Sequence, residues 1–240
     1  MITLQTVNHC WRYWRILNLH LSALALHPPQ RCRAVCTICH APAADDPKTA
    51  AVLDYFADLQ IENVRWDFRE MPAPELCRRA IGRNRVCLAS RADFVLLGDV
   101  DYIFGPGALD ACAEAMVAHG APAMFYPHSV LSSTTHVAGD AEIARVGRPQ
   151  IMPLDPEAYV RVKMPRPIGG TQWCPGDFAR KRGYLPNHSK FQSPANVWRR
   201  TFEDRIFRMQ SGLDRKAIDV PNVYRIRHGL RGRFDIGVEL

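Results

Sequence analysis

The chain has 240 residues, 47% of them hydrophobic and 23% charged, which is enough to bury a core and sits at the upper end of what one domain usually holds. No apolar run reaches the roughly 18 residues of a membrane span, and the N-terminus lacks the charged, apolar and small-residue regions of a secretory leader, so a cytosolic protein is expected. A formal net charge of +7 attracts anions (nucleotide phosphates, anionic glycolipid, an anionic membrane or nucleic acid) without choosing among them.

Residues 2–7 alternate and are rich in β-branched side chains, and Asn8-His9 opens an apolar-periodic segment over 10–27, which predicts strand, polar loop, helix. Trp11, Tyr13, Trp14 and Leu17 recur in it at helical spacing, the pattern of a helix packed on a sheet. A strand over 33–39 follows, then a loop with Pro42, Asp45, Asp46 and Pro47, a helix over 48–59 and a short strand over 63–68. Cys32, Cys36, Cys39 and His40 offer soft ligands within nine residues, but no second cysteine pair has matching spacing and the alternation reads as a buried strand. The eight cysteines as a set lack the spacing of a disulfide scaffold and read as reduced core residues.

A helix is expected over 75–90, and residues 94–97 form a wholly apolar run of the kind that makes a central strand buried on both faces. Beyond it come a helix over 106–119, a strand over 123–127, a polar stretch over 129–147, a proline-rich section reaching Pro167, a helix over 194–210 and a basic tail. Alternating strands and helices predict an α/β fold, an open and mostly parallel sheet with helices on both faces. The chain reads as one domain, divided into 1–127 and 128–240, the second part ending in a basic tail.

In open α/β sheets, ligands sit at the carboxyl ends of strands, and Asp99 and Asp101 follow the apolar run there. Two carboxylates flanking one apolar residue can set an oxygen on a hard divalent cation and aim another at a ribose, a sugar or a metal-bound water. The cation would neutralise a diphosphate leaving group.

With the whole block from Gly82-Arg83-Asn84 to Gly98-Asp99-Val100-Asp101, the sequence resembles the inverting family-2-like glycosyltransferases of the GT-A fold. The resemblance continues in Gly169-Gly170-Thr171-Gln172-Trp173, which looks like the glycine-rich acceptor segment, and in Trp198 to Arg205 with its Glu203-Asp204 pair. The strand exit Gln5-Thr6-Val7-Asn8-His9 occupies the place where family members hold base and ribose. Departures are a missing Pro-x-Tyr/Phe-Asn opening and Tyr102-Ile103-Phe104 in place of an acidic run after Asp101.

The resemblance implies Mn²⁺ or Mg²⁺ on Asp101 and Asp99, with His228 returning to the cation and Asp99 also contacting ribose or sugar. Thr6, Asn8 and Arg83 are the expected donor contacts, and Gly169, Gly170 and Trp173 the expected acceptor contacts, Trp173 by stacking on a pyranose. The base that takes the acceptor proton is sought in Glu203-Asp204, whose adjacent carboxylates can raise each other's pKa, with Asp204 preferred. Expected partners are a nucleotide-sugar donor, a UDP-hexose, and a glycan or glycolipid acceptor, with peripheral contact to an anionic membrane and no nucleic acid. The rival readings are a nucleotidyltransferase, whose glycine-rich loop and lysine after the first strand are not seen, and a non-catalytic sugar- or nucleotide-binding relative. The second would be favoured if Glu203 and Asp204 turned away from the Asp101 cleft.

Overall fold

The computed structural model describes residues 1–197 and 201–229, so Trp198 within the expected late helix and Arg231 and Arg233 of the basic tail lie outside it. Its first part comprises β1 (Ile2–Cys10), α1 (Trp14–Leu26), β2 (Cys32–His40), α2 (Pro47–Ala57), β3 (Val64–Glu70), α3 (Ala73–Leu76), α4 (Arg79–Ala89), β4 (Phe94–Gly98), β5 (Tyr102–Phe104), α5 (Ala108–His119) and β6 (Ala123–Pro127). There follow β7 (Ser129–Ser133), α6 (His136–Ala144), β8 (Tyr159–Lys163), β9 (Thr171–Pro175), α7 (Gly176–Arg182), α8 (Ser189–Gln192), α9 (Glu203–Gln210), β10 (Asp214–Ile218) and β11 (Val223–Arg225). Local chemistry fixes several of these ends. Asp46 caps α2 by accepting from the Thr49 amide, with Pro47 in the first turn, and α5 stops at Gly120, whose φ of 70° suits a residue without Cβ.

The main sheet runs β10-β6-β9-β4-β1-β2-β3, parallel except where β9 inserts antiparallel between β4 and β6. β4 therefore holds the centre. Its side chains alternate between two apolar layers: Leu96 joins Leu17, Leu21, Phe56 and Met116 of α1, α2 and α5, while Val95 and Leu97 join Leu76, Ile81, Cys87 and Ala179 of α3, α4 and α7. A strand buried on both faces cannot alternate with polar residues, which is why its sequence is continuously apolar. All eight cysteines are buried and unbridged, and burial pushes the thiols of Cys36, Cys39 and Cys87 up to about 12, as small core residues should be.

A second sheet, β5-β11-β7-β8, lies beyond the Asp-x-Asp turn. β11 runs antiparallel to β5 and the Ile226 amide donates to the Asp101 carbonyl at 2.9 Å, so the late chain is stitched to the exit of β4. Strands from both sides of residue 127 enter both sheets: β9 and β10 join the main one and β5 joins the second. No described helix is long and apolar enough to cross a membrane.

Four expectations change. β1 continues three residues past Val7, because Asn8, His9 and Cys10 stay in register with Ile38, Cys39 and His40 of β2. The helix expected over 75–90 is two helices, broken where Arg78 leaves helical geometry at φ −120° and ψ 83°. The polar stretch contains α6, started by a Thr135 side chain that accepts from the Ala138 amide. The late helix, expected from residue 194, is described only as α9, which begins at Glu203.

Candidate active site

The exit of β4 is built around two arginines one turn apart. The break before α4 puts Arg79 in its first turn and Arg83 four residues on, so both reach the same side of the helix. Arg83 has no exposed surface, and its guanidinium donates to the Gly98 carbonyl (2.8 Å), the Gly169 carbonyl (3.2 Å), Asp99 Oδ1 (3.3 Å) and the Tyr184 hydroxyl (3.2 Å). Arg79 donates to the same Asp99 oxygen and, through Nε at 3.1 Å, to Glu203 Oε1. A buried guanidinium without such acceptors would cost several kcal/mol, so these contacts fix where Asp99, residue 169 and α9 stand relative to one another.

The carboxylates divide accordingly. Glu203 is buried, paired with Arg79 at 2.9 Å and hydrogen-bonded by Thr201. Burial pushes its carboxyl up, but Arg79 and Arg83 pull harder and leave it at about 2. A carboxylate held that low is a poor proton acceptor, and this corrects the expectation that Glu203 shares the base role. Asp204 is different: its side chain keeps 23% exposure, Arg208 lies 3.6 Å away, and Oδ2 would sit 3.3 Å from a Cβ placed on Gly169. Asp99 keeps 24% exposure despite its two arginines.

The glycine at 170 has a backbone purpose. Gly169 brings its carbonyl onto Arg83 beside Asp204, and any Cβ on Gly170 would collide with the Tyr102 ring, so the chain crosses close over the Asp-x-Asp turn because residue 170 has no side chain. Asp99, Gly169, Gly170 and Asp204 are thereby gathered at one place.

Other expected contacts are not. Thr6 and Asn8 are 2% and 1% exposed inside β1. Asn8 Nδ2 lies 3.3 Å from His20 Nε2, and its Oδ1 packs over Gly98, while burial lowers His20 to about 4 and keeps it neutral against the Tyr102 carbonyl. Thr6 Oγ1 and Asn8 Oδ1 find no hydrogen-bond partner among the described residues, so it is burial, not pairing, that closes these side chains to a ligand. The chain leaves β1 at Trp11-Arg12 instead, where the Arg12 amide donates to Asp46 at 2.6 Å. Trp173, expected to stack on an acceptor, is 1% exposed in β9 and packs edge-on against Phe104, so its faces are closed to any sugar.

Asp99, Asp101 and His228, expected together on a cation, do not form a group of three, and among the described residues no three His, Cys, Asp or Glu side chains converge to hold a metal. His228 follows the contact of Ile226 with Asp101 and lies against the Tyr13 ring at 5.5 Å. It stands near the turn but against the start of α1. A hard cation taken by one or two carboxylates and completed by phosphate oxygens fits the Asp99 and Asp101 pair without a third protein ligand.

Sequence reasoning passed over Arg79. The arginines at 79 and 83 share a helical face ahead of the apolar strand, a signal available in the sequence; Gly183-Tyr184 belongs to the stretch that carries the family resemblance, which gave Tyr184 no role behind Arg83.

Solved structures with the same architecture include S. aureus TarS, with a TM-score of 0.58 and 11% identity over 93% of this chain and 36% of that one. TarS 1–349 in complex with UDP aligns with a TM-score of 0.57, 11% identity, 93% of this chain and 60% of that one. The mannosyltransferase PcManGT from Pyrobaculum calidifontis, in complex with GDP-Man and Mn²⁺, gives 0.51, 14%, 96% and 58%. The chain thus spans at most about 60% of the length of these structures. The sequence matches no protein-family model and no curated protein. The likeness gives the chain a GT-A-like glycosyltransferase fold, a mixed α/β sheet flanked by helices, as the sequence resemblance implied.

Proposed function

We propose that the chain is a metal-dependent glycosyltransferase that moves a sugar, with inversion, from a nucleotide-diphosphate donor, a UDP-hexose, to a hydroxyl of a glycan or glycolipid. The observation that carries this reading is the meeting of the Asp99-Val100-Asp101 turn at the exit of the central strand with Asp204 across Gly169-Gly170. Such an exit is where open α/β sheets take nucleotides. The fold shared with a UDP complex and with a GDP-Man and Mn²⁺ complex supports the donor class and the cation.

In this reading Asp101 and Asp99 would hold Mn²⁺ or Mg²⁺, which would supply charge neutralisation for the departing nucleoside diphosphate. Arg79 and Arg83 hold Asp99 in place by its Oδ1. They act as positioning residues, their charge already engaged by carboxylate and carbonyl oxygens. The backbone at Gly169-Gly170 brings the acceptor segment against the turn. The Asp204 carboxylate takes the proton from the acceptor hydroxyl as that oxygen attacks the anomeric carbon.

A non-catalytic binder of the same fold is the second reading, favoured if Glu203 and Asp204 face away from the cleft. Glu203 instead reaches Asp99 through Arg79, and Asp204 adjoins Gly169, which supports the transferase. A donor screen with UDP-sugars and Mn²⁺, followed by release of UDP, tests the proposal. Asp204→Asn should lower turnover by about 10²–10⁴-fold while UDP binding persists. Equal turnover in that variant removes Asp204 from the reaction, and no turnover by the unaltered chain on any donor, with UDP still bound, favours the binder.

A further inference from the structure

Three other arginines come together at the opposite end of the strands. Thr3, Arg33 and Arg65 are each the second residue of β1, β2 and β3, which run parallel, whereas Asp99 follows the last residue of β4. Thr3 pairs with Arg33 and Val35 with Arg65, so Arg33 and Arg65 project from one face as diagonal neighbours, roughly 7–8 Å apart at their bases. Arg91 approaches from the turn between α4 and β4, and the three line a cleft of about 430 Å³ with Thr3, Gln5 and Asn63.

No carboxylate lines this cleft. Arg31, Arg69, Arg85 and Arg145 each meet an acid on the surface, but among the described residues Arg33, Arg65 and Arg91 form no salt bridge. The adjacent Asp93 has Oδ2 committed to the Thr3 amide at 2.8 Å, and Gln5 is bound to Thr37 and Ser90. Like charges brought side by side on a sheet face repel, and no ion pair among the described residues neutralises them here. Guanidinium groups grip phosphoryl oxygens in pairs, and the volume is that of a small-molecule site.

We propose that this cleft is a second, separate anion site that takes a small phosphorylated ligand of the diphosphate class. It does not depend on the transferase reading. β4 separates it from the Asp99 turn by five residues, about 16 Å of strand, so both ends can be occupied together.

The test is calorimetry of the full chain with inorganic pyrophosphate in low-salt buffer containing EDTA, which removes any cation from the Asp99 end. Saturable binding is expected, weakened about 100-fold in Arg33→Gln/Arg65→Gln, because each of the two lost charge-assisted hydrogen bonds to the anion is worth about tenfold or more. Asp101→Ala should bind pyrophosphate as the unaltered chain does. Both arginines are exposed, and circular dichroism would verify that the double variant folds. The proposal is overturned by an absence of binding, by binding that the double variant keeps, or by binding that Asp101→Ala abolishes.

Discussion

The two ends of the central strands use arginine in opposite ways. At the exit of β4, Arg79 and Arg83 are packed among carboxylates and carbonyls, and their charge is consumed in holding Asp99, residue 169 and Glu203 in one frame. At the N-terminal end, Arg33, Arg65 and Arg91 stand in solvent without an acid. The first set contributes geometry and stability. The second contributes a field that is available to a ligand. Residue type alone does not separate the two; the difference lies in what each guanidinium finds within hydrogen-bond reach.

Substitution should expose the contrast most strongly at Arg83. Arg83→Met leaves Asp99 half-held and removes the Arg83 donor from the buried Gly98 carbonyl and the half-buried Gly169 carbonyl, and should cost about 3–5 kcal/mol of stability in urea unfolding. A loss below about 1 kcal/mol would mean that water replaces the guanidinium and that the frame is not rigid. Next comes the acid limb. Glu203 ionises at about 2 when folded against 4.5 otherwise, so its stabilisation is complete above pH 4.5 and is lost as the pH falls from there through about 2. At ~1.4 kcal/mol per unit this amounts to about 3 kcal/mol. Glu203→Gln should flatten that limb of the stability profile, and an unchanged limb would assign acid unfolding to other carboxylates.

Smaller effects are expected outside the frame. The Arg85 to Glu75 pair is solvated, with the arginine 55% exposed, and Glu75→Gln should cost no more than about 1 kcal/mol. At the far end, without ligand, Arg33→Gln/Arg65→Gln should leave stability within about 0.5 kcal/mol or raise it slightly by relieving repulsion. A clear loss there would show that the cleft arginines are also structural.

The sequence carried the centre of the fold plainly. The run at 94–97 is continuously apolar because β4 is covered on both sides, and the acidic pair that follows it emerges where parallel sheets bind ligands. The burial of Thr6 and Asn8 was not legible, because the sequence does not show that β1 runs on beside β2, and the surroundings of Asn8, His20 and the packing over Gly98, come from elsewhere in the chain. Trp173 follows two glycines, yet Gly170 serves the backbone crossing over Tyr102 and the tryptophan belongs to β9. The division of labour between Glu203 and Asp204 was invisible in sequence for the same reason. They are neighbours in the chain, and only Glu203 meets Arg79.

The central claim is that the β4 exit is a cation-assisted nucleotide site, and calorimetric titration with UDP, with and without Mn²⁺, on the unaltered chain and on Asp101→Ala tests it most directly. The account predicts UDP binding that requires Mn²⁺ and is lost in Asp101→Ala. UDP binding that is indifferent to both the cation and Asp101 would contradict it.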